Sequence, residues 1–399
     1  MKTAVMLAVL CSFLLAGCGG GNGSGNVVND QSGGKAKLES LLTVPNISAG
    51  TNFSFDLGDV DPQQHRYYFT DRNNKSVDVY DTQTGALIAV ITGGFAGAGP
   101  SSDSSGPDGI NVIPNSNFAY VGDVNSVKVI DTRINAVVKT IPVSSSGLRA
   151  DEGCFDPDDN IYMISSPGDN PPFATFISTL SQTVIAQLKF PDSAGLEACA
   201  YDPTTKSFFV NNDGTTANAH GELDAIPAAS VVAGKPAVSK AYALGNCDPT
   251  GLALGPGSDI ASECRPGTPG TPLNMLILNR TTGAVLANIA AGGGDQIWYD
   301  SSTNRYYVAA NRWTPNGLAV ASCSAATPCT PVLTLVDAGT RTVIGSITAG
   351  NNAHSVAVDP LTHRVFMPFS SSTNPAGCVN CDLFGNGAGG VAVYLSPPA

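Results

Sequence analysis

The chain has 399 residues, of which only 13% are charged, and it contains 44 glycines and 27 prolines. A charged fraction about half of the usual ~25% excludes a coiled coil or a charge-rich disordered chain. The net charge of −12 argues against a basic groove, so we expect no nucleic-acid partner. Frequent Gly and Pro between runs of Val, Ile, Thr and Tyr instead predict many short strands joined by turns.

The first residues predict an export signal. One lysine precedes an apolar stretch over residues 4–15, as in a signal peptide. The next four residues of the pattern, Leu-Ala-Gly-Cys at 15–18, resemble the bacterial lipobox, in which the signal is removed before a cysteine that becomes lipidated. An ordinary secretory signal is the alternative. We therefore predict a signal peptide at 1–17, a lipidated Cys18 with a flexible tether over 18–36, and a folded domain over 37–399.

The lipid anchor predicts a place in the cell envelope. No later stretch approaches the ~18 apolar residues that a spanning helix needs, so acyl chains on Cys18 would be the link to the membrane. Gly19 beside that cysteine resembles lipoproteins sorted to the outer membrane of Gram-negative bacteria. We expect a lipid-anchored monomer on the periplasmic face or the cell surface, with a small molecule or an envelope protein as its partner.

Export also predicts disulfides, because cysteines pair in an oxidising compartment. Of ten cysteines, Cys11 lies in the signal and Cys18 carries lipid, which leaves eight and 105 conceivable pairings. Proximity in sequence favours Cys247–Cys264, Cys323–Cys329 and Cys378–Cys381, which leaves Cys154 with Cys199. A redox or zinc pair is the alternative for the Cys-x-x-Cys at 378–381, although no second such motif is present.

A two-strand unit recurs about every 50 residues. Its clearest copy runs from His354 to Pro360 (HSVAVDP) and is followed by a second strand over 364–369. The other copies begin at Asp56, Asp108, Asp151, Glu197, Thr250 and Asp295. Two more strands follow in most units, with Asp, Asn or Gly at the corners. Seven such units predict seven four-stranded antiparallel blades.

The chain ends predict how the blades close. The last unit ends with its third strand at 391–395, and the segment over 38–44 has the pattern of the missing fourth strand. Pairing of the two would leave no free sheet edge in that blade. We therefore predict an all-β fold, a single seven-bladed β-propeller closed by the N-terminal strand.

Two copies of the repeat resemble a known family. Residues 118–131 (FAYVGDVNSVKVID) and 352–360 (NAHSVAVDP) are similar to the YVTN-type propeller repeat of bacterial surface and periplasmic proteins. The resemblance covers nearly the whole chain after the signal and implies the propeller fold. It says little about activity, because this fold serves many functions. Blades four and five depart most from the repeat, and we expect enlarged connections at 212–225 and 255–272.

One register position gathers carboxylates. It opens the innermost strand of each blade, and its seven residues are Asp56, Asp108, Asp151, Glu197, Thr250, Asp295 and His354. Because innermost strands surround the channel, we expect the five acids at one mouth, where Ca²⁺ or Mg²⁺ would find oxygen ligands. The alternative is structural, since Asp before a strand often accepts backbone N–H bonds in a turn.

The same rim should hold the other candidate residues. Asp71, Asp123 and Arg312 follow second strands, and Trp313 beside Arg312 is a candidate aromatic surface for a ligand. His354 and, in an enlarged loop, His220 are candidates for a transition-metal site or a general base.

The motifs that are missing from the sequence narrow the function. The sequence has no nucleophile motif, haem-attachment motif or phosphate-binding loop, so we expect neither haem nor nucleotide. Without a motif for catalysis, the acidic mouth of the channel favours a propeller that binds a small ligand, a cation or a protein there. The alternative is a divalent-metal-assisted hydrolase or lyase acting on a lactone or ester, similar in kind to gluconolactonase and streptogramin-lyase propellers.

Overall fold

A computed structural model describes residues 35–371, 378–379 and 381–397. The predicted signal peptide, Cys18 and the tether up to residue 34 lie outside the described residues. Within the described part, the strands form seven antiparallel sheets of four strands each, which confirms the predicted all-β, seven-bladed propeller. No helix in that part is both long and apolar enough to span a membrane.

The strands follow one another blade by blade, from the centre outward. The chain starts with β1 (Lys37–Leu42). Blade one holds β2 (Phe55–Asp61), β3 (Arg66–Asp71), β4 (Ser76–Asp81) and β5 (Leu87–Thr92); blade two holds β6 (Ile110–Val112), β7 (Phe118–Asp123), β8 (Ser126–Asp131) and β9 (Ala136–Pro142). Blade three holds β10 (Gly153–Asp156), β11 (Ile161–Ser166), β12 (Phe173–Ser178) and β13 (Thr183–Lys189).

Blade four contains the one α-helix of the described residues, α1 (Ala228–Val232), between its third and fourth strands, and a single 3-10 turn lies over Ser102–Ser104 between blades one and two. Its strands are β14 (Leu196–Asp202), β15 (Ser207–Asn212), β16 (Glu222–Pro227) and β17 (Lys240–Ala243). Blade five holds β18 (Pro249–Leu254), β19 (Asp259–Cys264), β20 (Met275–Asn279) and β21 (Val285–Ile289); blade six holds β22 (Ile297–Asp300), β23 (Arg305–Ala310), β24 (Val332–Asp337) and β25 (Thr342–Thr348). Blade seven adds β26 (Ala357–Asp359), β27 (Arg364–Phe369) and β28 (Gly390–Leu395).

The N-terminal strand closes the ring as predicted. The order in blade seven is β26-β27-β28-β1, and β1 pairs antiparallel with β28, with Lys37 opposite Leu395 and Leu42 opposite Val391. An ion pair between Glu39 and Arg364, at 2.6 Å, adds a further link between β1 and β27. The first and last strands of the domain therefore hold the ring together.

The core lies between neighbouring blades, where apolar faces of the sheets meet. Large aromatic side chains of the second strands are fully buried there, as at Tyr67, which stacks on Phe366 of blade seven at 4.6 Å. Gly153 in β10 makes room for such a ring in the next strand, since an added Cβ would collide with the Tyr162 hydroxyl. Neighbouring blades thus pack through closely fitted side chains, and the strand register decides which of these side chains meet.

The propeller has two unlike faces. We call the face where the innermost strands begin the cavity face; it also carries the connections between second and third strands. The opposite turn face carries the turns between first and second strands and between third and fourth strands. Aspartates on the turn face accept backbone N–H bonds, for example Asp61 from Gln63 and Asp81 from Thr84.

The connections differ in part from the prediction. In blades four and five the enlarged connections join second to third strands, over 213–221 and 265–274, whereas the turn over 255–258 in blade five is short. Still longer connections join the second to the third strands in blades six and seven, over 311–331 and 370–389, and residues 372–377 and 380 of the latter lie outside the described part. The repeat could not predict them, because a loop outside the sheet does not follow the strand register.

The four predicted disulfides are confirmed. Cys154–Cys199 joins the innermost strands of blades three and four, and Cys247–Cys264 lies at the cavity-face end of blade five. The other two, Cys323–Cys329 and Cys378–Cys381, lie within the long connections of blades six and seven. The long connections of blades six and seven therefore each contain a crosslink.

Candidate functional site

A cavity of about 280 Å³ lies at the cavity face. Its lining combines five acids with four arginines, one histidine and few apolar atoms. The lining residues are Ser54, Phe55, Asp56, Arg72, Ser102, Arg149, Asp151, Glu152, Glu197, Arg265, Asp295, Asn311, Arg312, Asn352 and His354. They come from blades one, three, four, five, six and seven and from the connections between them, so the closed ring is what brings them together.

The predicted register position accounts for five of the lining residues. Asp56, Asp151, Glu197, Asp295 and His354 all contact the cavity. The two remaining members do not line it. Asp108 is completely buried in an ion pair with Arg72, and the hydroxyl of Thr250 donates to the Gly294 carbonyl at 3.0 Å.

Two arginines neutralise one side of the cavity. Arg72, directly after β3, contacts both Asp56 (2.9 Å) and Asp108. Arg149, in the connection before β10, lies 2.8 Å from Asp151 and 3.7 Å from Asp108. Burial alone would raise the pKa of Asp56, but these guanidinium groups and His354 hold it well below its usual value. This side is therefore an ion-pair network and not a cluster of free acids.

The other side keeps carboxylates in excess. Oxygen atoms of Glu152, Glu197 and Asp295 lie within 4.8 Å of one another. Arg265 is 3.5 Å from Asp295, but no described residue forms a hydrogen bond or ion pair with the carboxylates of Glu152 and Glu197. Burial, together with the negative charge of the neighbouring acids, raises the pKa of both glutamates well above the usual value. The charge of Arg265 acts against this rise at Glu197 without cancelling it, so the cluster keeps an excess of negative charge.

His354 stands between the two sides in a fixed orientation. Its ring stacks on Phe55 with centroids 4.7 Å apart, and Nδ1 donates to the Asn352 carbonyl at 2.7 Å. Nε2 therefore points towards Asp56, 3.5 Å from its Oδ1. A ring held in this way presents one defined nitrogen to the cavity.

Most of the other predicted residues do not reach the cavity. Asp71 accepts the Asn74 backbone N–H at 2.9 Å, and Asp123 accepts that of Ala96 at 3.1 Å, so both shape their own loops. His220 pairs with Asp248 at 3.1 Å on the exposed rim and is not brought to His354.

Of the adjacent residues Arg312 and Trp313, which follow β23 in blade six, only Arg312 lines the cavity. The indole of Trp313 packs over Gly317 within its own loop, whereas Arg312 does line the cavity. Burial and the nearby Arg265 lower the pKa of Arg312. No described carboxylate lies within ion-pair distance of it, so this guanidinium is available to a ligand.

Four charged lining residues escaped the sequence reasoning: Arg72, Arg149, Arg265 and Glu152. A signal existed for Arg72 and Arg265, since each directly follows the second strand of its blade in a chain with only 20 Lys and Arg. Glu152 precedes the first residue of β10, where the alternation of a strand does not apply, and only the fold shows that it faces the cavity.

Three groups of side chains have metal-ligand geometry: Asp56–Asp295–His354, Asp56–Asp108–Asp151 and Glu152–Glu197–Asp295. The second is already paired with Arg72 and Arg149, which occupy its oxygens. The third offers only carboxylate oxygens and has an excess of negative charge, the donor set that Ca²⁺ and Mg²⁺ prefer. Of the acidic groups, the third fits a hard divalent cation best.

Comparisons with known proteins show the fold alone. No family model matches the sequence, and no curated protein matches it. Among solved structures, a chain of Kuenenia stuttgartiensis hydrazine synthase is similar with a TM-score of 0.64 and 15% identity, covering 89% of this chain and 98% of that one. A chain of the mitotic checkpoint complex is similar with a TM-score of 0.59 and 12% identity, covering 96% of this chain and 98% of that one.

Proposed function

We propose that this protein is a binding propeller of the cell envelope that takes a divalent cation, Ca²⁺ or Mg²⁺, in its central cavity. The observation that carries the proposal is the cluster of Glu152, Glu197 and Asp295, whose oxygens lie within 4.8 Å of one another while the two glutamates form no ion pair with any described residue. A cation there would offset the burial and the mutual repulsion that raise the pKa values of the two glutamates. Arg312 and Asn352 would face the polar or anionic part of a small molecule bound beside it.

Cation binding is tested by thermal melting and calorimetry. Added Ca²⁺ or Mg²⁺ should raise the Tm of EDTA-treated protein, since a ligand at about 100 times its Kd stabilises the folded state by about 2.7 kcal/mol. Glu152→Gln with Glu197→Gln should abolish the shift. The matched control is Asp61→Asn, which alters a turn on the opposite face and should leave the shift unchanged. Absence of binding heat and of a Tm shift with both metals would refute the proposal.

The orientation of His354 supports a second candidate, a metal-assisted hydrolase or lyase that acts on a lactone or ester. In this function His354 Nε2 would accept a proton beside the cation. Turnover of a lactone by the Ca²⁺-loaded protein, lost in His354→Gln but with Ca²⁺ binding retained, would favour it. Binding without turnover of any lactone or ester favours the non-catalytic propeller.

The place of the protein in the cell is part of the proposal. The lipobox-like residues 15–18 and the YVTN-like repeat support a lipid-anchored envelope protein of the YVTN type, exposed to the periplasm or the cell surface. Cys18→Ala should leave an unprocessed or soluble precursor, measured by membrane fractionation and by the mass of the mature N-terminus. Unchanged fractionation with an unmodified Cys18 would contradict lipid anchoring.

A further inference from the structure

Exposed apolar side chains are concentrated on the turn face, opposite the cavity. The five most exposed large ones are Leu180, Ile134, Leu361, Val232 and Val285, with exposures from 52% to 79%. All five lie in turns, in helix α1 or at the first residue of an outermost strand on that face. They come from five different blades, so the pattern surrounds the ring.

The same pattern continues into the outermost strands. Further exposed residues lie in the first half of these strands, close to the turn face: Leu87, Ile88, Val138, Val184, Ile185, Leu286 and Val343. Of the exposed large apolar residues in the described part, only Val379 lies in a connection on the cavity face. Hairpin turns normally carry Asn, Asp, Gly or Ser, and an apolar side chain at a turn tip contributes little to packing.

The described chain also begins at this face. Lys37 pairs with Leu395, the last residue of β28, at the turn-face end of blade seven. The side chain of Lys35 lies over Gly345 of the neighbouring β25. The segment that would lead to a lipidated Cys18 therefore joins the propeller at the edge where the apolar tips are exposed.

We infer that the turn face rests on a lipid surface, with the apolar turn tips inserted at the level of the headgroups and the cavity facing away from the membrane. This inference rests on the lipid anchoring proposed above. Several apolar tips held at one level on a rigid ring can insert together, and burial of apolar side chains in the interface adds to the affinity that acyl chains provide. The anchor then supplies attachment and the turn face supplies orientation.

The test places one dye on each face of the full-length, lipidated protein. The eight described cysteines are paired in disulfides, so a single added thiol can be labelled. Leu180→Cys puts the dye on the turn face, and Ser145→Cys puts it on an exposed connection of the cavity face. The protein is reconstituted into phosphatidylethanolamine–phosphatidylglycerol vesicles that contain brominated lipid. Quenching should be severalfold stronger at position 180 than at position 145.

A second variant separates orientation from attachment. Ile134→Gln with Leu361→Gln, in the Leu180→Cys background, should reduce quenching to the level of position 145 while the protein stays with the vesicles. Equal quenching at both positions in vesicle-bound protein would overturn the inference, as would crosslinking between two copies through position 180. If the protein is not lipidated, the proposal of lipid anchoring is refuted. The inference about the turn face then stands only if the unlipidated protein, mixed with the same vesicles, still shows stronger quenching at position 180 than at position 145.

Discussion

Arg72 compensates two buried carboxylates at the boundary between blades one and two. It contacts Asp56 and Asp108, and all three side chains are almost fully buried. Removal of the Arg72 guanidinium would leave both buried carboxylates without their nearest positive partner, and breaking a buried ion pair costs about 3–5 kcal/mol. Arg72→Leu should therefore lower the free energy of unfolding by about this amount in urea denaturation.

The control for this prediction is Arg133→Leu. Arg133 pairs with Asp131 at 2.6 Å, but its side chain is mostly exposed, so its loss should change stability little. If Arg72→Leu were as mild as Arg133→Leu, the network around Asp56 would not be what neutralises that side of the cavity.

The two glutamates without an ion pair make stability depend on pH. Burial and the neighbouring acids raise the pKa of Glu152 and Glu197 well above the usual value of a glutamate. In the unfolded chain glutamate titrates at about 4.3. Between the unfolded and folded pKa values the folded state binds more protons, so the free energy of unfolding falls as pH rises through this window. Metal-free protein should therefore melt at a lower temperature at pH 8 than at pH 5.5.

Two comparisons test this assignment. Glu152→Gln with Glu197→Gln should reduce the pH dependence of the Tm, because neither amide titrates, while other buried acids such as Asp59 and Asp224 keep part of it. Added Ca²⁺ should raise the Tm more at pH 8 than at pH 5.5, since protons and the cation compete for the same oxygens. An unchanged pH dependence in the double variant would assign it to other groups.

At the same scale, the repeat register predicted part of the candidate site. It placed Asp56, Asp151, Glu197, Asp295 and His354 at one mouth, because equivalent positions in seven equivalent blades must converge on the axis. It could not tell that arginines from neighbouring connections would pair with three of those four acids. Whether an acid is neutralised depends on arginines that lie outside the repeated strands. The packing of the folded chain decides which acids these arginines contact, and the spacing of residues in the sequence does not show it.

At the scale of the element, strands were more predictable than connections. A strand must alternate and pair with its neighbours, so the same pattern returns in each blade, and even β1 could be assigned to blade seven from sequence. The connections over 311–331 and 370–389 carry no such constraint. Disulfides within them reduce the number of conformations available before folding, which compensates in part for the missing hydrogen-bond ladder.

At the scale of the molecule, the ring is what creates the cavity. Glu152 precedes the inner strand of blade three, Glu197 lies in that of blade four, and Asp295 precedes that of blade six. No single blade holds two members of this cluster, so its geometry depends on the closure of the whole propeller. Loss of closure should therefore weaken cation binding as well as stability.

Closure can be tested by removing the strand that completes blade seven. Deletion of residues 37–45 removes β1 together with the buried side chains of Leu42 and Val44, each worth about 1.5–3 kcal/mol when fully buried. It also leaves β28 as an unpaired edge and uncovers Val391 and Val393. The shortened protein should melt several degrees lower, scatter light at concentrations where the parent does not, and bind Ca²⁺ more weakly.

The matched control is a deletion of equal length over 26–34, outside the described residues. It shortens the same end of the chain but keeps every strand of blade seven, so its Tm and Ca²⁺ affinity should equal those of the parent. Equal melting temperatures for the two deletions would mean that β1 contributes nothing to closure. A lower Tm for the 37–45 deletion with unchanged Ca²⁺ affinity would show that closure stabilises the fold but is not needed for the cation cluster. The cluster would then persist in a propeller whose last blade has only three strands.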